Sequence, residues 1–315
     1  MQWRILNALP IPVILMPVPK NFRLDDLIVL YDDGAGAYGY GLIYRDEKRN
    51  RLWVSGKSQR DSKDGFDLNL RGLFDMARLK RSPQPVHFSS NLLGQFSVGP
   101  PRDGDPYFGA PDCMSTAVLR FKENRYVIGF CGYRYTVRAV QLGDWIGSAK
   151  AFSVKPQGTA TNGLSSRQWE MLSGLGIPVI LPRYLPDGFR VAEVWATSIP
   201  PTLAGGPNYS VTYSNGRSSF KFQSKNGVVG RGADIPLTAF AARYDSKILG
   251  SGVIDNYPAK MNNNGSVTKY STCYGSLPTP YMGTHYYYGI SSCDPRVGFS
   301  QLARIFSSAD VLYQR

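Results

Sequence analysis

The chain has 315 residues, which fits two domains at about 150 residues each. Its 43% hydrophobic and 13% aromatic content excludes global disorder and a collagen-like fold, and 33 Gly, 22 Pro and 20 Tyr read as a turn-rich, β-rich protein. Against 36 Lys and Arg stand 23 Asp and Glu, a net +13, while the only two histidines, His87 and His285, exclude a His-rich metal centre and are the sole candidates for histidine catalysis.

Trp3, Leu6 and Leu9 recur at i, i+3 and i+6, which predicts a short amphipathic helix packed by one face. The apolar, β-branched run Ile11–Leu15 reads as a buried strand, and a proline-set turn leads into a strand from Phe22. Tyr40–Arg45 alternates as a strand does, and Asp67–Leu79 carries Leu70, Leu73, Phe74 and Ala77 at helical spacing. Met114–Phe121 and Arg125–Tyr135 form a hairpin around Lys122–Asn124, and Val140–Ala149 reads as a helix.

The same series then recurs. Trp169, Leu172 and Leu175 repeat the first helix, with Ser165 and Ser166 as candidate N-caps, and Ile177–Leu181 repeats the sequence of Ile11–Leu15 without change. Phe189 answers to Phe22, Tyr209–Tyr213 to Tyr40–Tyr44, Leu249-Gly250 to Leu93-Gly94, Cys273 to Cys113, Tyr286 to Tyr126, and Gln301-Leu302 to Gln141-Leu142. Asn215-Gly216 marks a hairpin turn, Ile235–Tyr244 answers to the helix at Asp67–Leu79, and Ser300–Leu312 reads as the last helix. A collinear series of this length predicts a tandem duplication: residues 1–152, a linker at 153–164 and residues 165–315, each copy an α+β domain with an antiparallel sheet and packed helices.

Charge follows the copies. Residues 1–152 hold 21 basic and 15 acidic side chains, a net +6, and residues 153–315 hold 15 and 8, a net +7. No basic arm or tail stands out, so the field is distributed: it favours an anionic partner, or it serves solubility alone.

The four cysteines fall two to a copy. Cys113 and Cys131 flank the first hairpin almost symmetrically, and Cys273 and Cys293 lie ten residues either side of Gly283. Opposed positions on antiparallel strands suit a disulfide, so the expected pairs are Cys113–Cys131 and Cys273–Cys293, out of three possible connectivities. Disulfides place the protein in the periplasm, in a lumen or outside the cell. With no CxxC and no paired histidines, zinc is not expected, nor is any other metal or cofactor. Met1–Pro19 has the look of a leader, but its recurrence at Trp169–Pro186 argues that it belongs to the fold, with any leader already removed. No apolar run reaches transmembrane length.

Motifs of chemistry are scarce. Gly34-Ala-Gly36-Ala-Tyr-Gly39 satisfies GxGxxG but runs into a strand rather than a helix, so it reads as a hairpin loop. Gly56-Lys57-Ser58 lacks the first P-loop glycine, since Arg51 occupies that position, and no GxSxG is present. Asp61, Asp64, Asp67 and Asn69 form an oxygen-rich loop without EF-hand spacing, and Asp103, Asp105 and Asp112 read as turn residues. The four glutamates, Glu47, Glu123, Glu170 and Glu193, have no counterpart between copies, which gives no sign of a glycosidase pair. The suggestive surface is aromatic and basic: Arg120, Arg125, Tyr126, Arg134 and Tyr135 in the first hairpin region, and His285, Tyr286, Tyr287 and Tyr288 in the second. Arginine with tyrosine suits a binding surface; the alternative is that these rings fill a sheet core.

Pro178-Val-Ile-Leu-Pro-Arg-Tyr-Leu-Pro-Asp-Gly-Phe189 resembles the LPxYLPxGF opening of small extracytoplasmic bacterial domains, among them RseB-like regulators of anti-sigma factors and secreted cyanobacterial proteins. The resemblance covers some dozen residues, with a degenerate first copy at Ile11–Phe22, and implies an envelope or secreted location and a non-enzymatic α+β fold. The leading expectation is therefore a non-catalytic extracytoplasmic protein that binds an anionic or protein partner through an Arg/Tyr-rich face. The alternatives are a polysaccharide hydrolase with its site between the copies and a nucleic-acid binder.

Overall fold

The computed structural model describes residues 2–48, 50–58, 86–99, 113–116, 119–131, 139–152, 162–198, 206–226, 241–261, 267–281 and 286–313. The chain divides into two compact units. The N-terminal unit holds residues 2–156 and 198–203, and the C-terminal unit holds residues 157–197 and 204–315.

In the N-terminal unit, helix α1 (Gln2–Ala8) leads into strand β1 (Val13–Leu15). Then follow β2 (Arg23–Asp32), β3 (Ala37–Arg45), β4 (Arg51–Lys57), β5 (Val86–Ser90), β6 (Gly94–Gly99), β7 (Cys113–Thr116), β8 (Leu119–Phe121) and β9 (Asn124–Cys131). Helix α2 (Ala139–Gly147) and β10 (Lys150–Phe152) close the unit. The main sheet runs β2-β3-β4-β9-β7-β6-β5, with β8 also on β9, and every pairing is antiparallel. Strand β1 pairs apart from it, with β10.

In the C-terminal unit, α3 (Ser166–Gly174) precedes β11 (Val179–Pro182), β12 (Arg190–Ser198), β13 (Pro207–Ser214) and β14 (Ser219–Asn226). Strands β15 (Ala242–Ser246), β16 (Gly250–Met261), β17 (Val267–Ser276), β18 (Thr279–Pro280) and β19 (Tyr286–Ser292) follow, then α4 (Phe299–Ser307) and β20 (Ala309–Tyr313). The sheet runs β12-β13-β14-β19-β17-β16-β15, with β18 also on β19, and β11 pairs apart with β20. Element for element, this is the order of the N-terminal unit. The fold is α+β and dominated by antiparallel sheet.

Local chemistry sets these elements. Ser165 caps α3 through a capping box: its Oγ accepts from Gln168 N–H at 3.2 Å, and Gln168 Oε1 accepts from Ser165 N–H at 2.7 Å. The hairpins β5–β6 and β15–β16 turn alike. Gly94 and Gly250 sit at φ +68° and +74°, where a side chain would be strained. Ser90 Oγ accepts from Leu93 N–H and Ser246 Oγ from Leu249 N–H, so the Leu-Gly match in the sequence is a turn signature. The GxGxxG segment is the β2–β3 hairpin loop, tied by Ala35 N–H to Asp32 Oδ1 at 3.0 Å.

The core of each unit is organised by two buried tyrosines. Tyr40, Gly56 and Tyr126 are register partners across β3, β4 and β9. Tyr40 Oη accepts from Ile14 N–H at 2.7 Å, and Tyr126 Oη donates to Pro12 C=O at 2.9 Å. In the C-terminal unit, Tyr209 Oη accepts from Ile180 N–H and donates to Ile180 C=O, and Tyr288 Oη donates to Pro178 C=O. Four phenols thus satisfy the backbone of the two Ile-Pro-Val-Ile-Leu runs, whose buried polar groups would otherwise be costly. Burial raises all four phenol pKa values well above the usual tyrosine range.

Three expectations change. Tyr126 answers to Tyr288 rather than Tyr286, because the second hairpin is two residues longer and the Tyr286–Tyr288 run offers three registers. The C-terminal end of the helix expected at Ile235–Tyr244 is strand β15, since Ala242, Arg243 and Tyr244 pair with Ile254, Val253 and Gly252. Residues 235–240 and the helix expected at Asp67–Leu79 lie outside the described residues. The last helix ends at Ser307 because Ala309–Tyr313 is drawn into pairing with β11. Leu164, inside the expected linker, is buried.

Candidate partner-binding surface

Side chains alternate across a strand, so the neighbours of Tyr126 face away from β1. On that opposite face Arg125 pairs in register with Lys57 of β4 on one side and with Arg120 of β8 on the other. Three cations therefore stand in a row across three strands. Arg120 is exposed and Arg125 and Lys57 are half-buried. Among the described residues no carboxylate pairs with Arg120 or Arg125. The turn adds Lys122, whose ammonium lies 5.7 Å from the Phe121 ring centroid. Lys122 and Glu123 take up positive φ in this tight turn, at 45° and 65°.

The aromatic half of the expected surface behaves differently. Tyr126 and Tyr288 are fully buried. They leave the surface set because their hydroxyls are committed to Pro12 and Pro178. Tyr286 and Tyr287 are half-buried on β19, and Tyr287 holds the register position of Arg125. Arg134, Tyr135 and His285 lie outside the described residues.

Cys273 and Cys293 form a disulfide, one register step beyond the Tyr274–Ser292 pair of β17 and β19. Cys113 and Cys131 are themselves register partners across β7 and β9. Beside the disulfide, Asp294 takes a two-pronged hydrogen bond from Arg296 at 2.9 Å, and that guanidinium lowers the carboxyl pKa to about 2.

The residues weighed for catalysis are scattered. His87 is exposed on β5, Glu47, Glu123 and Glu193 are exposed, and Glu170 is buried in α3. Among the described residues no group of three or more His, Cys, Asp or Glu could hold a metal ion. The oxygen-rich loop of Asp61–Asn69 and the aspartates at 103, 105 and 112 lie outside the described residues. No described helix is long and apolar enough to cross a membrane.

Two cavities are lined by described residues of the N-terminal unit. One, of about 380 Å³, is lined by Phe22, Trp145, Gln141, Asn50 and the carboxylates Asp46 and Glu47. Asp46 is already engaged there by Asn50 N–H and Nδ2 at 2.8 and 2.6 Å. The other, of about 570 Å³, lies where the β5–β6 hairpin passes β8, lined by Phe88, Phe96, Leu119 and the flanking polar residues His87, Ser89, Gln95 and Ser97. No sequence signal marked it, because its walls come from three separate strands.

No family model matches the chain, and no curated protein matches it. Among solved structures, the crystal structure of MucB in complex with MucA(peri) aligns with 98% of this chain and 96% of that chain, at 13% identity and a TM-score of 0.21. The Pseudomonas aeruginosa MucA/MucB complex aligns with 92% of this chain and 93% of that one, at 14% identity and a TM-score of 0.21. MucB alone gives 93% of each, 12% identity and a TM-score of 0.21.

Proposed function

We propose that the protein is a non-catalytic binding protein of an extracytoplasmic compartment, built from two copies of one α+β domain. Its N-terminal unit holds an acidic segment of a partner protein along the row Lys57–Arg125–Arg120. The observation that carries this reading is the row itself. Like charges placed directly opposite one another, as Arg125 and Arg120 are, destabilise a sheet, and an anionic chain laid over that pair relieves the repulsion. The compartment is supported by the Cys273–Cys293 disulfide, and the register of Cys113 with Cys131 leads us to propose the second bond as well. The duplication is supported by the shared strand order and by the paired tyrosines. The same row in the C-terminal unit carries Lys225, Tyr287 and Pro280, so the cationic function is assigned to the N-terminal unit.

The test is fluorescence anisotropy of a labelled acidic nonapeptide titrated with the whole chain at increasing NaCl. Affinity falls with salt, and Arg120→Glu with Arg125→Glu weakens binding about tenfold at low salt. Unchanged affinity in that double variant overturns the reading. Tighter binding to duplex DNA or to an anionic polysaccharide under the same conditions overturns the choice of a protein partner.

A further inference from the structure

The hairpin turns that follow β3 and β13 carry different chemistry. In the C-terminal unit the turn is Asn215-Gly216-Arg217-Ser218, and Asn215 Oδ1 accepts from Arg217 N–H and Ser218 N–H at 3.0 and 2.7 Å. In the N-terminal unit it is Asp46-Glu47-Lys48-Arg49-Asn50, and both Asp46 carboxylate oxygens accept an N–H from Asn50. Both donors are neutral amides, and among the described residues no salt bridge joins Asp46 or Glu47 to a cation. The helices differ too. The Gln-Leu match sets Trp145 of α2 against Ile305 of α4. Ile305 is fully buried, whereas Trp145 is half-buried and, one helical turn from Gln141, lines the cavity of about 380 Å³. In the C-terminal unit Phe189 packs on Phe220 at 5.4 Å. Phe22 instead meets Phe130 at 6.3 Å and Trp145 at 6.5 Å, and the planes of Phe22 and Trp145 lie at 65° to each other.

We propose that this cavity binds a quaternary ammonium group. Its two rings form adjoining walls rather than a stack, and the negative faces of aromatic rings, tryptophan above all, attract such cations. Its charge is complementary: Asp46 and Glu47 against Lys48 leave the lining at a net −1, in a chain whose net charge is +13. Each Asp46 oxygen already accepts a hydrogen bond, so the carboxylate offers charge more than free lone pairs, which suits a cation that has no N–H to satisfy. The volume falls in the range of small-ligand sites, about 300–1,000 Å³. Lys48, exposed at the rim, is a tethered competitor for the same carboxylates. The site is separate from the basic row and does not depend on the acidic-partner reading.

The experiment is calorimetric titration of the whole chain, at fixed ionic strength, with choline, with its neutral tert-butyl analogue and with ethanolamine. Choline binds about tenfold tighter than the neutral analogue, and tighter than ethanolamine. Trp145→Leu weakens choline about tenfold, and Trp145→Phe restores most of that loss. Glu47→Gln, at an exposed position that does not load the core, weakens it about threefold, and Lys48→Ala tightens it about twofold. Arg120→Glu with Arg125→Glu leaves choline affinity unchanged, so this site and the basic row fail or stand separately. Equal affinity for choline and the neutral analogue overturns the cation, and a preference for ethanolamine overturns the quaternary group. Choline affinity unchanged in both Trp145→Leu and Glu47→Gln, or no choline binding at millimolar concentration, overturns the site. Phosphatidylcholine vesicles distinguish the source of the group: capture of the chain that choline reverses supports a lipid headgroup, and choline binding without capture supports a free small molecule.

Discussion

The two sheets keep one face and change the other. On the face that carries β1 or β11, Tyr40 and Tyr126 correspond to Tyr209 and Tyr288, and their hydroxyls reach the same backbone positions. On the opposite face, Trp53 lies across Gly129 and is 1% exposed. The C-terminal unit has exposed Lys221 and half-buried Ser291 at those positions. The matching face is constrained by buried backbone groups that the phenols hydrogen-bond at a fixed register. The other face bears no such constraint, and it is where the two units present different surfaces.

The largest break in that comparison comes from Gly129→Ala. An added Cβ falls 1.9 Å from Trp53 Cζ2, which costs about 3 kcal/mol in urea unfolding. Ser291→Ala at the matching position costs under about 1 kcal/mol. Equal losses would show that the faces do not differ as described. Reduction of the Cys273–Cys293 bond, which spans a sequence separation of 20, lowers the stability of the C-terminal unit by about 3 kcal/mol. Mass after alkylation under non-reducing conditions checks that the bond is present. Tyr126→Phe and Tyr288→Phe each lose one buried hydrogen bond and cost about 1 kcal/mol, alike in the two units. A twofold disparity between them contradicts the shared role.

Titration sharpens the same contrast. The raised phenol pKa values mean that the fold favours the neutral ring. Their contribution is complete below the ordinary tyrosine pKa near 10 and is lost as pH climbs through the folded values. Phenolate absorbance should therefore show a fraction of tyrosines that ionise only as the chain unfolds. The smallest effect is at Asp294. Its carboxyl is lowered to about 2 by Arg296, so the pair's contribution is present above the ordinary aspartate pKa near 4 and fades as pH falls toward 2. Asp294→Asn removes that pH dependence and, with it, the pair's small contribution near neutrality.

Much of the scaffold was legible. The Trp-Leu-Leu spacing located α1 and α3, and the repeated Ile-Pro-Val-Ile-Leu run located β1 and β11; the Leu-Gly match stands in the sequence only as part of the repeat, and the structure shows it to be two hairpin turns. These signals are local. The strand at β20 was misread as helix because its conformation depends on distant β11. Tyr126 and Tyr288 fall in the core rather than on the surface, because a run of rings does not reveal which face is buried until the register is known. Arg120 and Arg125 could be picked from the sequence, but Lys57 joins them only through strand pairing with β4.

On the proposed function, position rather than net charge makes the N-terminal row a binding surface. Calorimetric titration of an acidic nonapeptide into three proteins tests it: the native chain, Arg120→Glu/Arg125→Glu, and Arg243→Glu/Lys247→Glu. The last pair is exposed in the C-terminal unit and removes the same charge. Binding about tenfold weaker is expected only for the first pair. Equal loss in both would contradict it, because the chain's overall positive field would then account for the binding.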